Sequence, residues 1–285
     1  MRLAPWILAF AIAATPTVVS AAPAIWEVSD SDSKVWLFGS VHVLPPAIAW
    51  RTPKLDDLVK QSEQVFFEAD IGPLGQLAVI INGIKMGFGQ KTDWLSSLGA
   101  EQKDKLTAAI TPLGLSVDQL AAFQPWLADA MIQEKVIETL GYTPSAGVDA
   151  TLQAELPKER KAYFETVAEQ LALLGTDPVD VQTRRLMITV DTVPTLGKEM
   201  SDMADAWSSG DVAALAKEMA DDPTMDEGFT KNLVTDRNAN WLKTIEGLLA
   251  DNHQDLIVVG AGHLAGDGSV VDLLAKAGFT VQRIQ

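Results

Sequence analysis

The 285-residue chain contains no cysteine. That absence excludes disulfides, cysteine-ligated zinc and a thiol nucleophile, and it leaves the fold to be held together by its core. Histidine is scarce too, with three residues in all, so any imidazole site must draw on His42, His253 and His263. Positive charge is short: 22 lysines and arginines stand against 38 aspartates and glutamates, for a net charge of −16 at pH 7. A chain this acidic is expected to repel nucleic acid and anionic membranes, so no nucleic-acid partner is expected. Past the N-terminus no apolar run reaches the ~20 residues that cross a bilayer, and no Pro-, Gly- or Ser-rich linker divides the sequence.

What is present begins with a leader. Arg2, the apolar segment Trp6–Ala14 and the small residues Val19-Ser20-Ala21 ahead of Pro23 have the layout of a secretory signal, with cleavage expected after Ala21. Its removal takes Arg2 and no acid, which moves the net charge from −16 to about −17. The remainder, residues 22–285, is expected to be a secreted or periplasmic protein without a stable membrane span. At 47% hydrophobic and 21% charged residues it has the composition of a globular chain.

Six short runs predict strands: residues 24–28, 34–39, 64–68, 161–165, 255–260 and 279–284. Continuous apolar stretches such as Val35–Phe38 and Leu256–Val259 suit strands buried on both faces. Between strands the spacing becomes helical. Thr52 and Pro53 predict an N-cap and first helical position, and a short helix is expected from Ser269, stopped by Gly278. Residues 72–140 and 168–250 carry helical patterns and read as insertions. The expected fold class is therefore α/β: a central mixed, mostly parallel sheet flanked by helices, in one domain, with the insertions capping the C-terminal end of the strands.

Two strand ends repeat one motif, Gly39-x-x-His42 and Gly260-x-x-His263. Parallel strands deliver the residues after their C-termini to a shared crevice, glycine allows a sharp turn there, and neutral imidazoles suit a divalent transition metal. A lone Gly-x-x-His would be a loop histidine with a hydrogen bond. Two copies in a chain so poor in histidine point to a site. His253 lacks this setting and reads as a surface residue. Glu68 ends the run Val65–Phe67 and could complete a two-histidine, one-carboxylate metal site or act as a base. Asp70, two residues on, better suits a cap. Glu165 follows Tyr163 and Phe164 in the same way, ahead of a helix containing Gln170. Asp149 reads first as an N-cap and second as the partner that orients a ligating histidine. Arg237 and Asn238 could bind a carboxylate or an oxyanion, although the residues alone favour a surface pair.

Taken in order, Gly39–His42, Phe67-Glu68, Gly147-Val148-Asp149, Phe164-Glu165-Thr166 with Gln170, Arg237-Asn238 with Trp241, and Gly260–His263 followed by Gly266-Asp267-Gly268 resemble the TraB/GumN family over essentially the whole mature chain. That family is related to the Tiki-type metalloproteases and, more distantly, to the ChaN-like and erythromycin-esterase-like folds. The resemblance implies a site at strand C-termini, with His42, His263 and Glu68 as its metal or catalytic core and Arg237, Asn238 and Glu165 completing the pocket. Tiki proteins are divalent-metal-dependent proteases, and the fold relatives include a haem-related lipoprotein and an esterase that works without metal.

The expectation is a metal-dependent hydrolase, a peptidase foremost, holding Mn, Co or Zn on His42, His263 and Glu68, with Glu165 moving the proton and Arg237 steadying negative charge. Its substrate would be a peptide or small molecule. One alternative drops the metal and pairs His42 with Glu68 to activate water for ester hydrolysis. Another keeps the crevice as a binding site for haem or a peptide, without turnover.

Overall fold

Each predicted apolar run forms a strand of one sheet in the computed structural model, which describes residues 22–88 and 92–285. The leader expected over residues 1–21 lies outside the described residues. The strands are β1 (Ile25–Ser29), β2 (Lys34–Ser40), β3 (Val65–Phe67), β4 (Lys161–Tyr163), β5 (Leu256–Gly260) and β6 (Thr280–Arg283). They lie in the order β4-β3-β5-β2-β1-β6. The first four of that order run parallel, and β1 is antiparallel to both its neighbours. The sheet is mixed and mostly parallel, as the sequence predicts.

The helices follow in chain order. Between β2 and β4 come α1 (Pro53–Gln61), α2 (Pro73–Gly87), α3 (Ala100–Ile110), α4 (Val117–Ala121), α5 (Pro125–Thr139) and α6 (Val148–Glu155). Between β4 and β5 come α7 (Val167–Leu174), α8 (Val179–Ser209), α9 (Val212–Asp221), α10 (Glu227–Thr230) and α11 (Asp236–Ala250), and α12 (Val270–Lys276) precedes β6. The Thr52 hydroxyl accepts from Leu55 N at the start of α1, and Ser269 does the same for Asp272 N at α12. After α12, Gly278 takes φ +98°, a left-handed conformation that suits glycine.

Alternation along the strands buries both faces of the sheet. Trp36, Phe38, Phe67 and Val258 pack with Leu55 and Leu58 of α1 and Leu152 of α6. On the opposite face, Leu37, Phe66, Ile257 and Val259 pack with Trp241, Ile245 and Leu249 of α11 and with Leu274 of α12. α11, whose sequence lies within the second helical stretch at 168–250, lays its apolar stripe on the sheet. A separate core joins α3, α4, α5 and the first half of α8 through Leu106, Leu120, Ile132 and Leu186. The far end of α8 returns to the sheet, where Trp207 Nε1 donates to the Gly39 carbonyl at 2.9 Å.

Candidate functional site

Four strand ends meet at one edge of the sheet. Ser40 on β2 pairs with Gly260 on β5, and Phe67 on β3 pairs with both Val258 and Tyr163. The residues just beyond these ends are His42, Glu68, Glu165 and His263. The parallel topology therefore brings together side chains that lie far apart in sequence.

Glu68 is buried where β3 ends. Its Oε1 accepts from the Gly260 amide at 2.7 Å, and its Oε2 accepts from Gln170 Nε2 at 3.0 Å and from Arg237 Nη2 at 2.5 Å. Burial by itself would raise this carboxyl. The adjacent His263, Arg237 and His42 and the Gly260 amide outweigh burial and hold it down to about 2.

The two histidines share a motif but not an environment. His42 sits at a bend in the loop after β2 with its side chain 60% exposed, whereas His263 lies in a 3₁₀ turn over Ala261–Leu264 and is 8% exposed. His42 Nδ1 is 2.8 Å from Asp149 Oδ2, and Asp149 Oδ1 accepts from Ser40 Oγ at 2.9 Å. The Asp149 carboxylate raises His42 to about 9 against the opposing cost of desolvation. His263 Nδ1 is 2.7 Å from Asn238 Oδ1, while the Asn238 amide nitrogen donates to the Gly268 carbonyl at 2.9 Å. That second bond orients the asparagine, so Nδ1 of His263 carries the proton and Nε2 presents a lone pair. Burial lowers His263 to about 4, with Arg237 and His42 adding to the effect and Glu68 opposing it.

Arg237 ties these parts together. It stands in the first turn of α11, directly after a π-helical turn over Lys231–Thr235. Such turns shift the register of a helix face and recur at functional sites. Its Nε donates to both oxygens of Glu165 at 3.0 and 3.1 Å, and its Nη1 reaches the Leu233 carbonyl at 3.0 Å and His263 Nε2 at 3.1 Å. The guanidinium also lies over the Trp241 ring, 4.7 Å from its centre, and Trp241 Nε1 donates to Glu165 Oε1 at 2.9 Å. The planar fork thus spans two carboxylates and an imidazole at once, which an ammonium could not do.

Several expectations change on this geometry. Arg237 and Asn238 are not a surface pair: Asn238 is fully buried, and both contact His263. The charged start of α11 concealed this because it turns toward the site, not toward water. Asp149 does not cap its helix. Gly147 holds the cap position of α6, and the Asp149 carboxylate faces Ser40 and His42. His42 pairs through Nδ1 with Asp149, which leaves its Nε2 free of that bond. Asp70 is not a cap either: Gly72 holds the cap position of α2, and the Asp70 carboxylate accepts from Gly72 N in the turn before it. His253 is a surface residue beside Glu63. The sequence by itself points to no role for Ser40 or for the Trp241 N–H, which bond Asp149 and Glu165. The i,i+4 spacing of Arg237 and Trp241 could have signalled the latter.

Donor chemistry here fits a divalent ion in type and orientation. Each histidine has Nδ1 tied to an oxygen acceptor, the arrangement that fixes metal-ligating imidazoles, which leaves Nε2 for the site. Among the described residues, though, no three histidine or carboxylate side chains stand close enough together to enclose an ion. The guanidinium of Arg237 occupies the contacts with Glu68 and His263 that a cation would make.

One backbone approach is tight enough to be tested. A Cβ on Gly147 would lie 2.1 Å from the His42 carbonyl oxygen. Gly147→Ala is therefore expected to push the His42 loop away from Asp149 and to cost about 1–3 kcal/mol. Thermal unfolding would register the destabilisation, and an unchanged midpoint would show that the loop yields freely.

A family model described as the TraB/PrgY/gumN family matches residues 24–283. An uncharacterized protein of Treponema pallidum (strain Nichols) is 18% identical over 264 residues, covering 88% of this chain and 80% of that protein. A protein named Metalloprotease TIKI homolog from Amphimedon queenslandica is 35% identical over 80 residues, which is 27% of this chain and 16% of that protein. No solved structure matches significantly. The match over nearly all of the described chain, on a sheet whose strand ends carry this cluster, places the protein in the TraB/PrgY/gumN family.

Proposed function

We propose that the protein is an exported, divalent-metal-dependent hydrolase that cleaves peptide bonds. The observation that carries this reading is the pair of histidines with Nδ1 anchored, by Asp149 and Asn238, beside the strand-end carboxylate Glu68. Family membership and the partial likeness to a named metalloprotease support it.

His42, His263 and Glu68 would hold the ion, of the Mn, Co or Zn class, once Arg237 gives up its bonds to Glu68 and His263. Such an ion lowers the pKa of a bound water and polarises a carbonyl. The rest of the chemistry belongs to the chain. Glu165 Oε2 receives one hydrogen bond, at 3.1 Å, and so retains acceptor capacity for the proton of the attacking water, which it then returns to the leaving amine. Arg237, anchored by Glu165 and the Leu233 carbonyl, supplies N–H donors to the oxyanion that forms at the carbonyl. Trp241 and Asn238 keep these groups in place.

A second reading rests on the His42–Asp149 pair. With Arg237 left where it stands, a protonated His42 could act as general acid in metal-free ester hydrolysis. Metal analysis separates the two. The purified protein should bind Mn, Co or Zn, and hydrolyse a broad peptide panel only with the ion present. The His42→Ala, His263→Ala double variant should lose both properties. Full metal retention in that variant would remove the metal assignment. A haem absorbance band with no turnover of any peptide or ester would instead support the binding reading.

A further inference from the structure

Helix α2 carries its large apolar residues on the side that faces water. Leu74, Leu77, Ile80, Ile81, Ile84 and Phe88, the last at its C-cap, are each between 51% and 78% exposed. The residues it buries are Gly75, Gly83 and Gly87. The body of the protein leaves little room on that inner side. A Cβ on Gly87 would lie 2.3 Å from Leu127 of α5, and one on Gly75 would lie 1.7 Å from the Asp70 carbonyl oxygen. Each of the six outer residues leaves on the order of 100 Å² in water, which puts the patch near the ~600 Å² upper end for a typical monomer and close to the ~800 Å² that one partner contributes to a standard interface.

The spacing on that face suits another helix. Leu74, Leu77, Ile81, Ile84 and Phe88 recur at steps of three and four, the a and d positions of a heptad seam. The seam is roughly 20 Å long at the rise of an α-helix. It ends against Phe123, whose ring centre is 5.6 Å from that of Phe88. Charge narrows the choice of partner. The chain carries −16 overall, yet α2 contains no acid and a single cation, Lys85. A second copy of the chain, repelled elsewhere, can therefore meet this face without like charges opposing it. One lysine is far short of the basic face that draws an amphipathic helix onto an anionic lipid surface.

We infer that α2 is a homodimer interface, in which the heptad seams of two copies pack against each other across a two-fold axis. Ile81 stands at the midpoint of the seam, so it meets its own counterpart whether the paired helices run parallel or antiparallel. The dimer stands apart from the peptidase reading but touches the same site. Leu74 also lines a cavity of about 490 Å³ between α2 and α7, and Glu165 lines the same cavity. A second copy seated on Leu74 would border the space next to Glu165.

Sedimentation velocity on the purified protein, expressed from the full-length sequence, provides the test. The wild type should sediment as a dimer at about 50 μM and dissociate on dilution. The Leu77→Glu, Ile84→Glu double variant sets unpaired charges of one sign in the seam of each copy. It should raise the dissociation constant at least about 100-fold. Its circular dichroism should match that of the wild type, because both side chains are exposed in the single chain. Should that variant misfold, Ile81→Cys gives a milder readout. The chain has no cysteine, so oxidation should join two copies of this variant, whereas Lys60→Cys, at an exposed position on α1, should stay monomeric under the same conditions. A wild type that remains monomeric at about 100 μM, or a dimer that survives the double substitution, overturns the inference. So does a monomer that binds phosphatidylcholine vesicles through Leu77 and Ile84, which would assign the face to lipid.

Discussion

Replacing Arg237 with alanine should destabilise the protein by about 3–5 kcal/mol, the cost of stripping a buried ion pair of one partner. The guanidinium neutralises Glu68 and Glu165, both nearly buried, and also bonds His263 Nε2 and a backbone carbonyl. Without it two carboxylates face each other's site with no cation between them. The loss should be larger at pH 7 than near pH 4, where Glu68, deprived of the charge that holds it down, can take up a proton. Arg237→Lys should fall between, because an ammonium keeps the charge but cannot bridge three partners. Urea unfolding measures all of this. Added Mn or Zn should restore part of the lost stability in the alanine variant, since an ion can enter where the guanidinium stood. A loss below about 1 kcal/mol would show that the cluster does little to hold the strand ends together.

Glu68→Gln should have the largest effect on turnover, a fall in kcat/KM of at least about 100-fold. Glutamine keeps an oxygen for the Gly260 amide but removes the charge that opposes Arg237 and that would hold an ion. The variant should also alter acid stability. Glu68 is held near 2 in the fold, below its ordinary 4.5. The stability it supplies is therefore complete above about 4.5 and is lost as pH falls through 2. His263 is held near 4 in the fold, below its ordinary 6.5, so its contribution is complete above 6.5 and is lost as pH falls through 4. The wild type should thus lose stability in two stages as pH falls. Glu68→Gln should lack the lower stage, and its upper stage should move to lower pH, because Glu68 is the charge that holds the His263 pKa up. Unfolding midpoints between pH 2 and 7 would display the difference, and superimposable profiles would sink the assignment.

The strands could be read from sequence because their signal is local. Val35–Phe38 and Leu256–Val259 are continuous apolar runs ended by glycine, and a strand buried on both faces needs little else. Glu68 and Glu165 could be found because a polar residue directly after such a run has only the strand end to occupy. Arg237 and Asn238 could not, because a charged first turn looks the same whether it meets water or a buried site. Asp149 was ambiguous for a similar reason, since a carboxylate near a helix start can cap the backbone or leave it. The repeated Gly-x-x-His marked the right place but suggested a symmetry that the fold does not have. The strand register pairs Ser40 with Gly260, so the two motifs sit one residue out of step. His42 is left in an open loop and His263 in a buried turn, with acidities pushed in opposite directions.

That same pairing of β2 with β5 also governs when the site can exist. The two strands are neighbours in space but stand roughly two hundred residues apart along the chain, and contacts of such long range form late and slowly. Glu68 needs the Gly260 amide, His42 needs Asp149, and Arg237 needs His263. No growing or truncated chain that stops short of β5 can assemble this cluster, whatever else it has folded. The cluster and the finished sheet therefore arrive together, and a chain cut before β5 lacks both Gly260 and His263.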